Sequence, residues 1–412
     1  MPQLTLTLDS LVYGGQAMGR LPDGRAVFVP FALPGEQVRL RPVEEKRGHV
    51  RAELLEVLQP SASRISPRCA HFGLCGGCHY QHMPYADQLA AKSAILREQL
   101  QRLGGLSDPP LAPAVPAPED FYYRNHVQFH LAPDGKLGYH REGSAEVFPI
   151  QECHLPEPPL DAIWKQMEIE AIPGLERIGL RLGSGDDIQL ILDGSDPRPP
   201  ELSVEDLPIS VAYLSPAGRL VLAGSEAVYI EVLGRVFRLS AGSFFQVNTR
   251  MAETMVEHLL GELPARLNPD RGVTLLDAYC GVGLFSAFLA PLVGRLVGIE
   301  ALPFAGDDFA VNLDEFDNVE LYQASVEDVL PALEIEPQIA LVDPPRAGLS
   351  RLALDGILRL QPSLLVYISC DPATLARDAK RLVSAGYSLK KITPFDLFPQ
   401  TYHIESITFW EK

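Results

Sequence analysis

The chain is short of positive charge: 35 Lys and Arg stand against 53 Asp and Glu in 412 residues, a formal net charge of −18. Phosphate binding is largely electrostatic, so this balance argues against a protein that coats nucleic acid at large. A local basic face stays open, with Arg64, Arg68, Arg124, Arg141, Arg346, Arg377, Lys380 and Arg381 as candidates. Long apolar runs are lacking too. Residues 284–294 fall short of the roughly 18 apolar residues that span a bilayer. Met1 is followed by neither a basic segment nor a signal-type apolar core. The expectation is a cytoplasmic, monomeric protein with no membrane partner. Cysteine is scarce, with six in all, and in that compartment disulfides are not expected. Internal repeats are absent.

What is there begins with length, which favours two or three domains. Apolar content of 46% and charged content of 21% are ordinary globular usage. Strand-like alternation at residues 4–8, 26–30, 37–41 and 54–58, with Gly14-Gly15, Asp23-Gly24 and Pro34-Gly35 as turns, predicts a small OB-like β-barrel over residues 1–58. Small barrels often hold oligonucleotides. A cysteine-rich loop follows, then a helical stretch over 85–103 ending at Gly104-Gly105 and a Pro-rich connection at 108–118. Residues 122–239 read as antiparallel sheet with a helix near 160–170 and turns at Asp134-Gly135 and 193–200, completing a β-rich central domain at 59–240. From 241 to 412 apolar strands at 274–276, 296–299, 319–322, 339–342 and 364–368 alternate with helical stretches, the pattern of a doubly wound, Rossmann-like α/β sheet. Such sheets bind ligands at the carboxyl ends of their strands.

Asp277-Ala-Tyr-Cys-Gly-Val-Gly283 follows the first of these strands and opens a helix. Gly281 and Gly283 permit a tight turn and close backbone approach to a ligand. Glu300 ends the next strand about 20 residues on, where a carboxylate suits a ribose diol. A dinucleotide dehydrogenase would share both features, but the third glycine of its fingerprint is replaced by Ser286. Cys280 is expected to be a small buried filler.

Asp343-Pro-Pro-Arg-Ala-Gly348 ends another strand and aims Asp343 at the same cleft. Amino-group methyltransferases carry an aromatic residue where this chain has Arg346, which weakens that reading. Tyr367-Ile-Ser-Cys370-Asp-Pro-Ala-Thr374 places a thiol at a strand end before a helix predicted over 372–384. A helix N-terminus favours the thiolate, while adjacent Asp371 opposes it. His403 and Glu405 lie two apart, on one side of a strand, and offer candidate bases. A Cys370–His403 dyad alone would suit a thiol hydrolase. Cys69, Cys75 and Cys78 with the distant Cys153 make four thiols, enough for an all-thiolate metal site; three clustered ligands and a remote fourth fit a [4Fe-4S] cluster better than zinc, which favours two close pairs. A non-enzymatic RNA-binding or redox-sensing module is the competing class.

Asp277 to Gly283, Asp343 to Gly348, Ser369-Cys370-Asp371-Pro372, His403-Ile-Glu405-Ser406 and Phe244-Phe245-Gln246-Val247-Asn248 together resemble the motif set of the SAM-dependent RNA 5-methyluridine methyltransferases. The resemblance implies that Cys370 is the nucleophile and Glu405 the base. It also implies that Gln246, Tyr279, Glu300 and Asp343, with the loop of Gly281 and Gly283, contact S-adenosylmethionine (SAM) or the target uracil. Ser325 stands where relatives carry Asp or Asn beside the adenine, and a hydroxyl offers fewer hydrogen bonds. The rRNA-directed branch carries a [4Fe-4S] cluster and an N-terminal TRAM barrel, so the resemblance implies 23S rRNA as partner, with the tRNA T-loop as the alternative. A target base inside folded RNA must be flipped out, with Phe244, Phe245 or Tyr123 as candidate stacking partners.

Overall fold

The computed structural model describes residues 3–132, 135–167, 169, 172–201, 209–263 and 272–412. The expected turn residue Asp134 and the far end of the helix expected at 160–170, including Glu168 and Glu170, lie outside them; the helix there runs over Pro158–Trp164.

The N-terminal sheet has six strands, two more than the alternation predicts, because Ser10–Val12 and Gln16–Arg20 are short and separated only by the Gly14-Gly15 turn. It curls round a core of Leu8, Val27, Val29, Val38, Leu40 and Val50. The curl brings its first strand against Gly19, where a Cβ would lie 2.8 Å from the Thr7 carbonyl oxygen. Only glycine allows that closure.

The central body is a seven-stranded sheet, ordered Gly218–Ala223, Ile209–Ser215, Ile188–Gly194, Leu175–Leu182, His126–Leu131, Leu137–His140, Val147–Pro149. All its neighbours are antiparallel except Ile188–Gly194 and Ile209–Ser215, which run parallel. A parallel neighbour needs a connection longer than a hairpin turn, so the turn expected at 193–200 does not join these two strands as a hairpin.

The last sheet holds Thr274–Ala278, Arg295–Ile299, Val319–Tyr322, Ile339–Val342, Leu364–Ser369, Ser388–Phe395 and Glu405–Glu411. Numbered by place in the chain, their order across the sheet is 3-2-1-4-5-7-6, parallel but for the seventh strand. Helices cover both faces. One core gathers Phe285, Phe309, Met255 and Phe409 with Phe237 and Leu239 of the preceding hairpin; the other gathers Leu354, Leu375, Tyr367 and Trp410. The helix Tyr85–Arg102 adds Ile95, Leu96 and Leu100 to the second core, lying beside the helix Pro372–Ser384. It thus belongs spatially with the last sheet. No helix among the described residues is long and apolar enough to cross a membrane.

Candidate active site

The turn after the first strand of the last sheet carries three left-handed residues, Tyr279 (φ 67°), Gly281 (φ 55°) and Gly283 (φ 89°). At Gly283 a Cβ would strike Leu313 at 2.3 Å; at Gly281 it would meet nothing within 4 Å. The first glycine therefore faces open space, the second packs the helix down. Glu300 is fixed by two amides, from Gly281 (2.9 Å) and Leu302 (2.7 Å). Asp277 accepts from the Ser286 hydroxyl at 2.5 Å through one oxygen, and its other oxygen is buried without a partner. Burial, with Glu300 nearby, pushes its carboxyl up to about 7. An orphaned acceptor beside open backbone fits a ligand that brings its own donors. The Tyr279 hydroxyl donates to Glu327 at 3.4 Å. Ser325 caps the helix Val326–Val329, accepting from the Asp328 amide (3.1 Å) and donating to the Asp328 carboxylate (2.6 Å). Its hydroxyl is already committed.

The nucleophile candidate and the base candidate end adjacent antiparallel strands. Ser369 pairs with Ser406, so the next step of the register brings Cys370 opposite Glu405. Asp343 follows directly on Val342, which pairs with Tyr367 in the same sheet. Cys370 is half-buried; burial first, then Glu405 and Asp343, push its thiol up to about 12. The helix mouth therefore does not leave the free thiol acidic, because three carboxylates surround it and Arg346 alone opposes them among the leading influences. Asp371, one of the three, also spends one oxygen on the amides of Ala373 and Thr374, both at 2.9 Å, as cap of the following helix. Burial and Asp343 hold Glu405 well above the usual carboxylate range. Burial pushes Asp343 up to about 7. His403 is pulled down to about 3 by burial and by Arg346, whose guanidinium lies 3.3 Å from its Nε2. A neutral, cation-facing imidazole is a poor partner for a thiol dyad.

Gln246 is buried in the element before the helix Thr249–Glu262, and the Asn125 side chain donates to its carbonyl at 3.0 Å. Of the three aromatics considered for stacking, Phe245 and Tyr123 are buried, the latter donating to the Pro399 carbonyl at 3.0 Å, while Phe244 is 61% exposed. Cys280 is buried packing against Gly298.

The loop 396–404 that carries His403 to Glu405 is held from outside the sheet, which no local motif announces. Lys92 reaches the Asp396 carboxylate (2.6 Å) and the Phe398 carbonyl (3.0 Å), both charges buried. Gln88 and Gln400 exchange two hydrogen bonds of 3.0 Å. The His79 and Tyr80 amides donate to the Gln400 carbonyl at 2.8 and 3.0 Å. The cysteine loop thus docks on the loop of the base candidate.

The four expected ligands are free thiols within electrostatic reach of one another: Cys75 feels Cys69, Cys78 feels Cys153 and Cys75, and Cys153 feels Cys75 and Cys69. Burial pushes Cys78 to about 12 and Cys153 to about 11, with Arg124 acting against the rise at both. Among the described residues, no three His, Cys, Asp or Glu side chains are grouped as a metal ion would require.

The expected basic face is largely neutralised. Arg64 pairs with Glu36, Arg141 with Glu146, Arg377 with Asp378 and Arg381 with Asp355. Arg68 instead lies over the rings of Phe121 and Tyr122 at 5.1 and 5.0 Å.

Residues 222–412 match the family described as tRNA (uracil-5-)-methyltransferase. The chain is 35% identical to an RNA methyltransferase of Thermosynechococcus vestitus over 98% of its length and 97% of the relative's, and 34% identical to one of Aquifex aeolicus over 99% and 98%. In fold it resembles the Pyrococcus abyssi tRNA (uracil-54, C5)-methyltransferase solved with S-adenosyl-L-homocysteine, with a TM-score of 0.74 at 23% identity over 99% of this chain and all of that one. A sheet ordered 3-2-1-4-5-7-6, a glycine turn facing an amide-held carboxylate, and full-length relatives at this identity lead to one conclusion: the chain belongs to the SAM-dependent RNA 5-methyluridine methyltransferase family and is an RNA uracil methyltransferase.

Proposed function

We propose that the protein methylates C5 of a uridine through a covalent adduct on Cys370, with Glu405 as base. Uracil C5 is a weak nucleophile until a thiolate adds to C6. Cys370 gives its thiol proton to solvent and its sulfur forms the S–C6 bond, and the electron pair released from the C5–C6 double bond becomes available at C5 to bond the incoming methyl carbon. SAM, when bound, supplies an electrophilic methyl carbon on a sulfonium, which leaves as a neutral thioether. Glu405 then takes the C5 proton; the C5–C6 double bond re-forms as the S–C6 bond breaks and Cys370 leaves as thiolate. A carboxylate raised by burial and by Asp343 is a stronger base than an exposed one, which suits a proton on carbon. The observation that carries this reading is the strand register that sets Cys370 opposite Glu405. His403, held neutral under Arg346, serves as a wall of the site. Gln246, Tyr279, Gly281, Gly283, Glu300 and Asp343 are the proposed cofactor and uracil contacts, Ser325 contributing through its helix cap alone.

Cys69, Cys75, Cys78 and Cys153 are proposed to hold a [4Fe-4S] cluster. Free thiols within electrostatic reach of one another and of the Arg124 guanidinium, whose Nε is buried without a partner, support an anionic group there. The group would staple the loop that docks on Gln400; methyl transfer moves no electrons and asks no redox step of it. The TRAM-like barrel and the cysteine loop together favour 23S rRNA as substrate, and the fold likeness to a tRNA enzyme favours the T-loop. Incubation of the protein with methyl-labelled SAM and separate 23S rRNA and tRNA transcripts, followed by nucleoside analysis, tests both levels. 5-Methyluridine from the rRNA alone is expected; label on an exocyclic amine would overturn the chemistry, and label in tRNA alone the substrate.

A further inference from the structure

The barrel does more than sit beside the catalytic sheet. Its hairpin of Ser10–Val12 and Gln16–Arg20 turns at Tyr13, Gly14 and Gly15 and enters the active-site wall. The Tyr13 hydroxyl donates to Asp371 Oδ2 at 2.8 Å, the oxygen that the helix cap leaves free. Its ring meets Tyr402 edge-on at 5.6 Å, and Tyr402 in turn packs on His403 at 4.4 Å and His79 at 4.6 Å. Gly15 is pressed so close that a Cβ would come 2.9 Å from the His79 Cβ. One turn therefore touches the residue after the nucleophile, the loop of the base and the cysteine loop.

We propose that Tyr13 is a positioning residue for methyl transfer, holding Asp371 and through it Cys370, so that the N-terminal barrel completes the active site. The inference rests on Cys370 being the nucleophile. Asp371 is among the charges that oppose a thiolate at Cys370. A hydroxyl donated to a carboxylate draws off part of that charge and, with both oxygens bound, fixes the strand end on which Cys370 sits. Burial, then Asp371, hold the Tyr13 hydroxyl far above its ordinary range, so it stays a donor throughout the working pH.

The coupling is read at the thiol itself by iodoacetamide alkylation of Cys370 in the full-length protein without RNA, so its failure is distinguishable from failure of the nucleophile assignment, which trapping with 5-fluorouridine RNA tests. Tyr13→Phe is expected to slow alkylation about tenfold at fixed pH, its profile moving about one unit upward, and to slow adduct formation in proportion at unchanged RNA affinity. In an Asp371→Asn background the same change is expected to have no effect beyond about twofold. Alkylation of Tyr13→Phe within about twofold of wild type, or an equal loss in both backgrounds, overturns the proposal, since the second outcome reduces Tyr13 to packing. A thermal melt of each variant separates either result from misfolding.

Discussion

The same functional group occurs in two settings, and the contrast between them organises the molecule. Cys370 is a single thiol ringed by Glu405, Asp343 and Asp371, with Arg346 alone pulling the other way. Cys75, Cys78 and Cys153 lie within electrostatic reach of one another and of Arg124. A thiolate among carboxylates is destabilised, which makes it a stronger attacking group once it forms. Several thiols beside a guanidinium suit the ligation proposed for them. The roles proposed for the two sites, chemistry at one and architecture at the other, rest on neighbours, since the side chain is identical.

The sharpest way to break the comparison is to exchange the roles. Cys370→Ala is expected to lower methyl transfer by about 10^4-fold or more, because the C6 adduct cannot form; nucleoside analysis checks it, and retained 5-methyluridine would dissolve the contrast. Glu405→Gln is expected to reduce product release about 10^3-fold while methylated protein–RNA complex accumulates on denaturing gels; clean turnover would move the base elsewhere. Cys153→Ser is expected to lose iron and sulfide on analysis and to melt about 5–10 °C lower, with Cys370 still able to form an adduct.

Smaller effects sharpen the electrostatic side. With its thiol pushed up to about 12, Cys370 holds a thiolate fraction that grows about tenfold per pH unit below that value. Its alkylation rate should therefore still climb between pH 7 and pH 10, and a plateau near neutrality would show that burial and the neighbouring carboxyl groups do not hold the thiol up. Smallest of all, Ser325→Ala should leave the KM for SAM within about twofold and weaken the short helix by about 1 kcal/mol in a melt, the loss of one N-cap.

Much of the last sheet was legible because its strands are buried on both faces, as Ile339–Val342 and Leu364–Ser369 are throughout, and read as apolar runs ending in motif residues. The helix Pro372–Ser384 declared itself through Asp371 and Pro372. Less legible was everything carried by distant partners. Tyr13 and Asp371 are separated by 358 positions, and Gln88 and Gln400 by 312; no periodicity or spacing encodes such pairs. The direction of the Cys370 shift was hidden for the same reason: the helix dipole is local and visible in sequence, while Glu405 and Asp343 arrive through sheet topology. The net charge of −18 is not relieved by a basic face at these positions, since Arg64, Arg141, Arg377 and Arg381 are occupied by carboxylates.

The central claim is that Cys370 becomes bonded to uracil C6. The direct measurement is to incubate the protein with SAM and RNA carrying 5-fluorouridine, which has no C5 proton to surrender, then to map the cross-linked peptide by mass spectrometry. A stable complex is expected, its modified peptide containing Cys370 and bearing the transferred methyl group. A complex mapped to any other residue, or an adduct that survives Cys370→Ala, would contradict it.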